Sequence, residues 1–149
     1  MNTDNTIDQT IVEDLDGITV ICGGGGQRGW NGIKYMQGLS GKNTGAQNLS
    51  INVATVPPGA IAYAHIHDGF EVMLFIVQGK VRHAYGDNLE QEVINEAGDF
   101  IYIKPGVPHE VHNIGDGPLI AFVARSTADE WDKIVNYPSR HRPAQDPIS

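Results

Sequence analysis

Between residues 49 and 125 the chain alternates short β-prone runs with turn residues, and this punctuation constrains its fold more than any other feature. The runs cover 49–56, 60–67, 71–77, 81–85, 92–94, 100–103, 108–113 and 119–125. Between them stand Pro57-Pro58-Gly59, Asp68-Gly69, Gly79, Gly86-Asp87-Asn88, Ala97-Gly98-Asp99, Pro105-Gly106 and Gly115-Asp116-Gly117-Pro118. Gly, Pro, Asn and Asp supply turn backbones, and strands this short at this spacing make an antiparallel sandwich or barrel. The expectation is an all-β domain over residues 18–135. Only 128–135 reads as helix, with Trp131, Ile134 and Val135 covering one face, before a Pro-rich polar tail at 136–149. Residues 1–17 read as a loose acidic arm with a peripheral strand around Ile11 and Val12.

A chain of 149 residues fits one domain with one core. The single cysteine, Cys22, excludes an intrachain disulfide and a Cys-rich zinc site, so any metal must be held by histidine and carboxylate. A formal net charge of -8 opposes sequence-independent binding to nucleic acid or to an anionic membrane. The acidic residues 1–16 are unlike a secretory or transit peptide, and the longest apolar run, 72–77, is too short to cross a bilayer. A cytoplasmic protein with neither nucleic acid nor membrane as partner is expected. Gly23-Gly24-Gly25-Gly26 follows an apolar run but lacks the ending and spacing of a phosphate loop, and reads as a flexible turn.

The chemistry gathers in two places. On the run 60–67 side chains alternate, so Tyr63, His65 and His67 share a face, with the two imidazoles about 7 Å apart along the strand. Glu71 follows the tight Asp68-Gly69 turn, and a hairpin can return its carboxylate beside His67. His109 opens a later run that a closed barrel can bring to the same point. Each piece alone is weak, since an isolated histidine is more often a surface or hydrogen-bonded residue.

Together, Gly59-x5-His65-x-His67-x3-Glu71 resembles the first signature motif of the cupin superfamily, and Gly98-Asp99-x6-Gly106-x2-His109-x3-Asn113 resembles the second. The resemblance covers about residues 45–125. It implies a double-stranded β-helix, or jelly-roll, cupin barrel, here followed by the short C-terminal helix. It implies His65, His67, Glu71 and His109 as ligands of one divalent first-row metal per chain, with Mn, Fe, Ni, Cu and Zn all open. The segment from His109 to Ser126 further resembles uncharacterised RmlC-like bacterial cupins loosely labelled predicted sugar-phosphate isomerases, a label resting on fold analogy.

Two departures bear on the site. Seven residues separate Glu71 from Gly79 where the motif has six, and one extra residue inverts a strand's faces. A β-bulge near Glu71 is expected to restore its direction; without one, three histidines remain. Lys104 stands where the motif has proline, and either only alters a turn or reaches an anionic substrate.

Among other polar residues, His83 either lines the cavity as a proton donor or faces solvent, and Glu110 is a second candidate acid/base. His112 has the opposite parity to His109 and should face away from the metal, whereas Asn113 holds a strand-end turn. Tyr63 packs in the core or bonds a substrate. The run 72–77 is apolar on both faces and needs cover on its outer one, from a terminal arm or from the partner of a homodimer. Function then divides between a metal-dependent enzyme on a small metabolite, of oxygenase or isomerase/lyase type, and a non-catalytic metal-dependent protein that binds or senses a sugar or small acid.

Overall fold

The computed structural model describes residues 10–14, 17–23, 27–129 and 133–142, the first of these as backbone alone. Thirteen strands and one short helix make up the described chain. β1 (Thr10–Asp14) and β2 (Ile18–Cys22) pair as an antiparallel hairpin through the positive-φ Gly17, so the expected peripheral strand of the arm lies beside β2. Gly24–Gly26 lie outside the described residues, as does Trp131.

Next come β3 (Gln27–Trp30), β4 (Ile33–Leu39), α1 (Gly41–Thr44), β5 (Ser50–Val56), β6 (Ile61–His67) and β7 (Val72–Gln78). The chain continues through β8 (Lys80–Tyr85), β9 (Gln91–Glu96), β10 (Phe100–Ile103), β11 (His109–Asn113), β12 (Leu119–Arg125) and β13 (Ile134–Asn136). One sheet has the order β10-β7-β12-β5-β4-β3 and the other β13-β6-β11-β8-β9, with every pairing antiparallel. The barrel expected from the sequence is thus realised as two sheets that are not closed into one hydrogen-bonded ring. Alternate residues of β7 and β12 (Val72, Ile76, Leu119, Ala121, Val123) meet Ala62, Val81 and Val56 to form the core between the sheets.

Two details of register place the functional residues. Across β6 and β11, His109 pairs with His65 but Val111 pairs with Ala62, so Tyr63 and Ala64 together face Glu110. This bulge reverses the parity within β6: Ala62, His65 and His67 face the core side, and Tyr63 does not. Across β7 and β12, Gln78 pairs with Ile120 and Ile76 with Ala121, leaving Val77 as the extra residue. Gly79 then turns the chain into β8 at φ 104°, where a Cβ would lie 2.9 Å from the Leu119 Cα.

The expected helix over 128–135 is not what the described residues form. Residues 130–132 lie outside them, and Ile134 and Val135 belong to β13, which pairs with β6 opposite His67 and Ile66. A helix of eight residues is marginal by itself, whereas the open edge of β6 offers ready hydrogen-bond partners and Ile134 packs on the core. The segment past β13 continues along the barrel to Arg142, whose guanidinium donates to the carbonyl of Ala64 and the side chain of Asn31. Among the described residues no helix is long and apolar enough to cross a membrane.

Candidate metal centre

β6 and β11 carry the histidines, and the β-ladder fixes their separation. His65 and His109 are direct cross-strand partners, and His67 lies one inward position along β6. The turn before β11 is pinned to the same strand, since the Gly106 N–H donates to the His67 carbonyl at 2.8 Å. Gly106 adopts φ 79°, which explains a glycine at that point of the motif. Ring centroids lie 4.4 Å apart for His65 and His109, 5.0 Å for His65 and His67, and 4.8 Å for His67 and His109. One ligand nitrogen from each falls within 4.8 Å of the other two.

All three rings are buried, with the edge of Trp30 against His65 and Phe70 beside His67. Nδ1 of His65 lies 2.9 Å from the Tyr63 carbonyl and Nδ1 of His109 lies 2.8 Å from that of Val107. Neutral imidazoles in this setting donate Nδ1–H to those carbonyls and leave Nε2 with a free lone pair. His67 Nδ1 is buried with no hydrogen-bond partner. Desolvation drives the histidines towards their neutral form, to about 4 for His65 and about 3 for His109, and lowers His67 further. Three neutral imidazoles, one with an orphaned buried nitrogen, fit a divalent first-row cation.

The rings open on a cavity of about 70 Å³ between the two sheets, with mostly aliphatic walls. His83 lines it from β8, buried, with Nδ1 3.3 Å from the Asn95 side-chain oxygen. Burial lowers His83 to about 4, so at neutral pH it is an uncharged imidazole and has no imidazolium proton to donate.

Arg125, on the inward face of β12, also lines the cavity and was not singled out in the sequence. It is 3% exposed, donates to Asn52 Oδ1 at 2.9 Å and lies 5.8 Å from the centroid of the Tyr35 ring. Its charge opposes protonation of His65 and His67. The signal was available, because Leu119, Ala121, Val123 and Arg125 share one parity, and a cation ending an otherwise apolar inward row is anomalous.

Two expected site residues are placed elsewhere. Glu71 is exposed, with Oε2 accepting from the Tyr102 hydroxyl at 2.6 Å, and is not in the three-histidine group. The inward positions of β7 are Val72, Leu74 and Ile76, so Glu71 has outward parity. The extra residue is absorbed at Val77, beyond Glu71, and does not turn it. Glu110 also lies away from the cavity: next to His109 on a strand, it takes the opposite face, where its carboxylate meets His112, Ser139 and His141. His112 shares that face, as its parity requires.

Three further expectations meet their geometry here. Asn113 donates to the carbonyls of Val56 and Gly117 and accepts from the Gly115 N–H, holding the strand-end turn. Tyr63 points out of the cavity and lies under the Arg142 guanidinium. Lys104 is exposed in the turn before β11 and does not line the cavity.

Comparison with known proteins agrees with this architecture. The cupin domain family matches residues 52–125. An auxin-binding protein of Prunus persica, ABP19b, is 31% identical over 97 residues, covering 62% of this chain and 46% of its own length. The chain therefore spans about half of that relative. Among solved structures, Lactobacillus farciminis oxalate decarboxylase in its formate complex superposes with TM-score 0.65 at 22% identity, over 74% of this chain and 32% of the enzyme. A putative ethanolamine utilization protein Q from Salmonella typhimurium gives TM-score 0.63 at 14% identity, over 81% and 95% respectively. At these identities the two structures show a shared fold.

Proposed function

Because the chain belongs to the cupin superfamily, we propose that His65, His67 and His109 hold one divalent first-row metal, and that Arg125 orients a small anionic metabolite against it. The observation that carries this reading is the joint placement of three neutral, buried imidazoles and a buried guanidinium in one small cavity. Such an ion supplies Lewis acidity and, with only three protein ligands, open coordination positions. Arg125 is held by Asn52 and supplies a fixed charge in a low-dielectric wall, where it recognises a carboxylate or similar anion strongly. The aliphatic walls lower the local dielectric, and the volume admits a metabolite of a few heavy atoms. His83 is the uncharged imidazole left to exchange a hydrogen bond with that ligand.

We favour an enzyme of oxygenase or isomerase/lyase type on a small carboxylate. A non-catalytic binder or sensor of small acids is the second reading, favoured by one observation: with Glu110 on the outer face, the cavity keeps no carboxylate among the described residues, and His83 and the Tyr35 hydroxyl are the proton-exchanging groups beside the three metal-binding histidines. The test is metal analysis of the purified protein, then oxygen uptake by the iron form against small mono- and dicarboxylates. Oxalate, named for one structural neighbour, belongs in that panel. Turnover or oxygen consumption supports the enzyme; carboxylate binding without turnover supports the sensor; absence of both overturns the cavity as a small-acid site.

The homodimer belongs to the same proposal. The outer face of the larger sheet aligns Phe100, Phe75, Phe122, Val53 and Met36 across five strands, and Phe100 is 81% exposed. Met73 and Val77 widen this apolar face. Such a surface on an antiparallel sheet calls for cover, and a second copy supplies it.

A further inference from the structure

β11 presents ligand-type residues on both faces, His109 inward and Glu110 and His112 outward. The outward pair meets His141 from the segment after β13, and one ligand atom from each of these three residues lies within 4.8 Å of the other two. Glu110 is 1% exposed, and its Oε1 lies 2.9 Å from both His112 Nε2 and His141 Nδ1. Its second oxygen accepts from the Ala64 N–H at 3.1 Å and from the Ser139 hydroxyl. Those two donors lock the carboxylate's direction, as outer contacts do around metal-bound carboxylates. The two imidazoles meet edge to face, with centroids 4.9 Å apart, and converge on one oxygen.

We propose that Glu110, His112 and His141 form a second divalent-metal site, of zinc type, separate from the three-histidine centre. Two imidazoles and one carboxylate make a ligand set that zinc accepts with a position left open. Metal–ligand bonds of about 2.1 Å in a tetrahedron hold ligand atoms about 3.4 Å apart. The nitrogens, now 2.9 Å from Oε1, need to retreat by only about half an ångström for the ion to replace both hydrogen bonds. His141 is about one-third exposed and is the adjustable ligand, while Glu110 and His112 are fixed by β11.

The open side of the cluster faces a surface pocket of about 660 Å³, with room for water or a ligand on the ion. Glu90, Glu92 and Asp87 line it against Arg82 and Arg140, a balance of charge that favours a cation. Arg82 lies nearest to His112 and opposes the ion, but its guanidinium is drawn to Glu92 at 3.7 Å.

Occupancy has a structural consequence. Ser139 and His141 belong to a strap whose β13 pairs with β6 opposite His65 and His67. An ion at Glu110 clamps that strap onto β11, the strand bearing His109.

The experiment uses the full chain, stripped with a chelator and titrated with zinc against a chromophoric competitor at pH 7.5. Two zinc ions per chain are expected for the parent, one for His141→Ala, one for His67→Ala and none for the double variant. Zinc is expected to slow tryptic cleavage after Arg140 at least tenfold in the parent and in His67→Ala, but not in His141→Ala. Glu110→Gln, which keeps the side-chain shape, should behave as His141→Ala does; circular dichroism confirms that each variant is folded. If His141→Ala and Glu110→Gln bind as many ions as the parent, or zinc protects the strap equally with and without His141, the second site is overturned. Loss of zinc in His141→Ala with none in His67→Ala upholds this site and removes the inner one.

Discussion

The substitution that separates the possible inner sites is Glu71→Gln, read beside His67→Ala and Val72→Glu. The background is His141→Ala, so that ions at the outer cluster do not enter the count. In the structure Glu71 points outward, and its contact is an exposed hydrogen bond from Tyr102. Removing its charge should cost at most about 1 kcal/mol of stability and change zinc affinity by less than about threefold, which corresponds to roughly 0.7 kcal/mol. His67→Ala deletes one of three nitrogens and should weaken affinity at least about 100-fold, since loss of even an outer partner of a ligand costs 10–100-fold.

Val72 is 1% exposed and lines the same cavity from the first inward position of β7. Val72→Glu removes roughly 1.5–2 kcal/mol of apolar burial and places a carboxylate in a dry wall. The metal-free protein should therefore lose at least that burial, with the new charge offset in part by Arg125, its inward cross-strand neighbour. With zinc present most of that loss should return, because the new carboxylate completes a fourth coordination position. Competitive zinc titration and thermal melts with and without metal read all three variants. A tenfold or larger loss of zinc affinity in Glu71→Gln would refute the outward placement; failure of zinc to rescue Val72→Glu would refute a metal position within reach of β7.

Metal-free protein should lose stability on acidification, because His65, His83 and His109 are held at about 4, 4 and 3. Their burial keeps them neutral in the fold while the unfolded chain protonates near 6.5, so stability is whole above about 6.5 and falls towards 4. Each contributes up to about 1.4 kcal/mol per pH unit. Melts at pH 7.5 and 5 on chelated samples check the sign, and a melting temperature that rises towards pH 5 would contradict it. Arg125→Met should leave inner zinc binding within a few-fold of the parent while weakening small-carboxylate binding at least tenfold by calorimetry; parallel loss of both would mean that Arg125 supports the fold rather than the ligand. Light scattering at micromolar concentration should give about twice 16.2 kDa, and Phe122→Glu should give the monomer; a monomeric parent sinks the dimer. Asn113→Ala should cost about 1–3 kcal/mol in chemical denaturation, because the buried Val56 carbonyl and the half-buried Gly117 carbonyl lose their donor.

The sequence by itself determined the all-β class, the turns and the pair His65 and His67, while His109 entered through the family resemblance. Each of these is a local property: Gly, Pro and Asp set turn backbones, period-two alternation sets strands, and His65-x-His67 places two imidazoles on nearly one face of whatever strand carries them. It also determined that His112 and Asn113 would diverge from each other. The tertiary structure decided everything that depends on register. Counting residues between Glu71 and Gly79 detected an extra one but could not locate it, because a bulge forms wherever the partner strand leaves a residue unpaired. That point proved to be Val77 against β12, so Glu71 kept its outward parity; a second bulge, Tyr63-Ala64 against Glu110, turned Tyr63 out of the cavity. Alternation from His109 already implied that Glu110 faces away, but only the fold brings residue 141 to it. Likewise the pattern 128–135 was helical in period, and the free edge of β6, invisible in the local sequence, drew its last residues into a strand. Parity is written in the chain, whereas the pairing partner that shifts parity is contributed by residues far away in sequence.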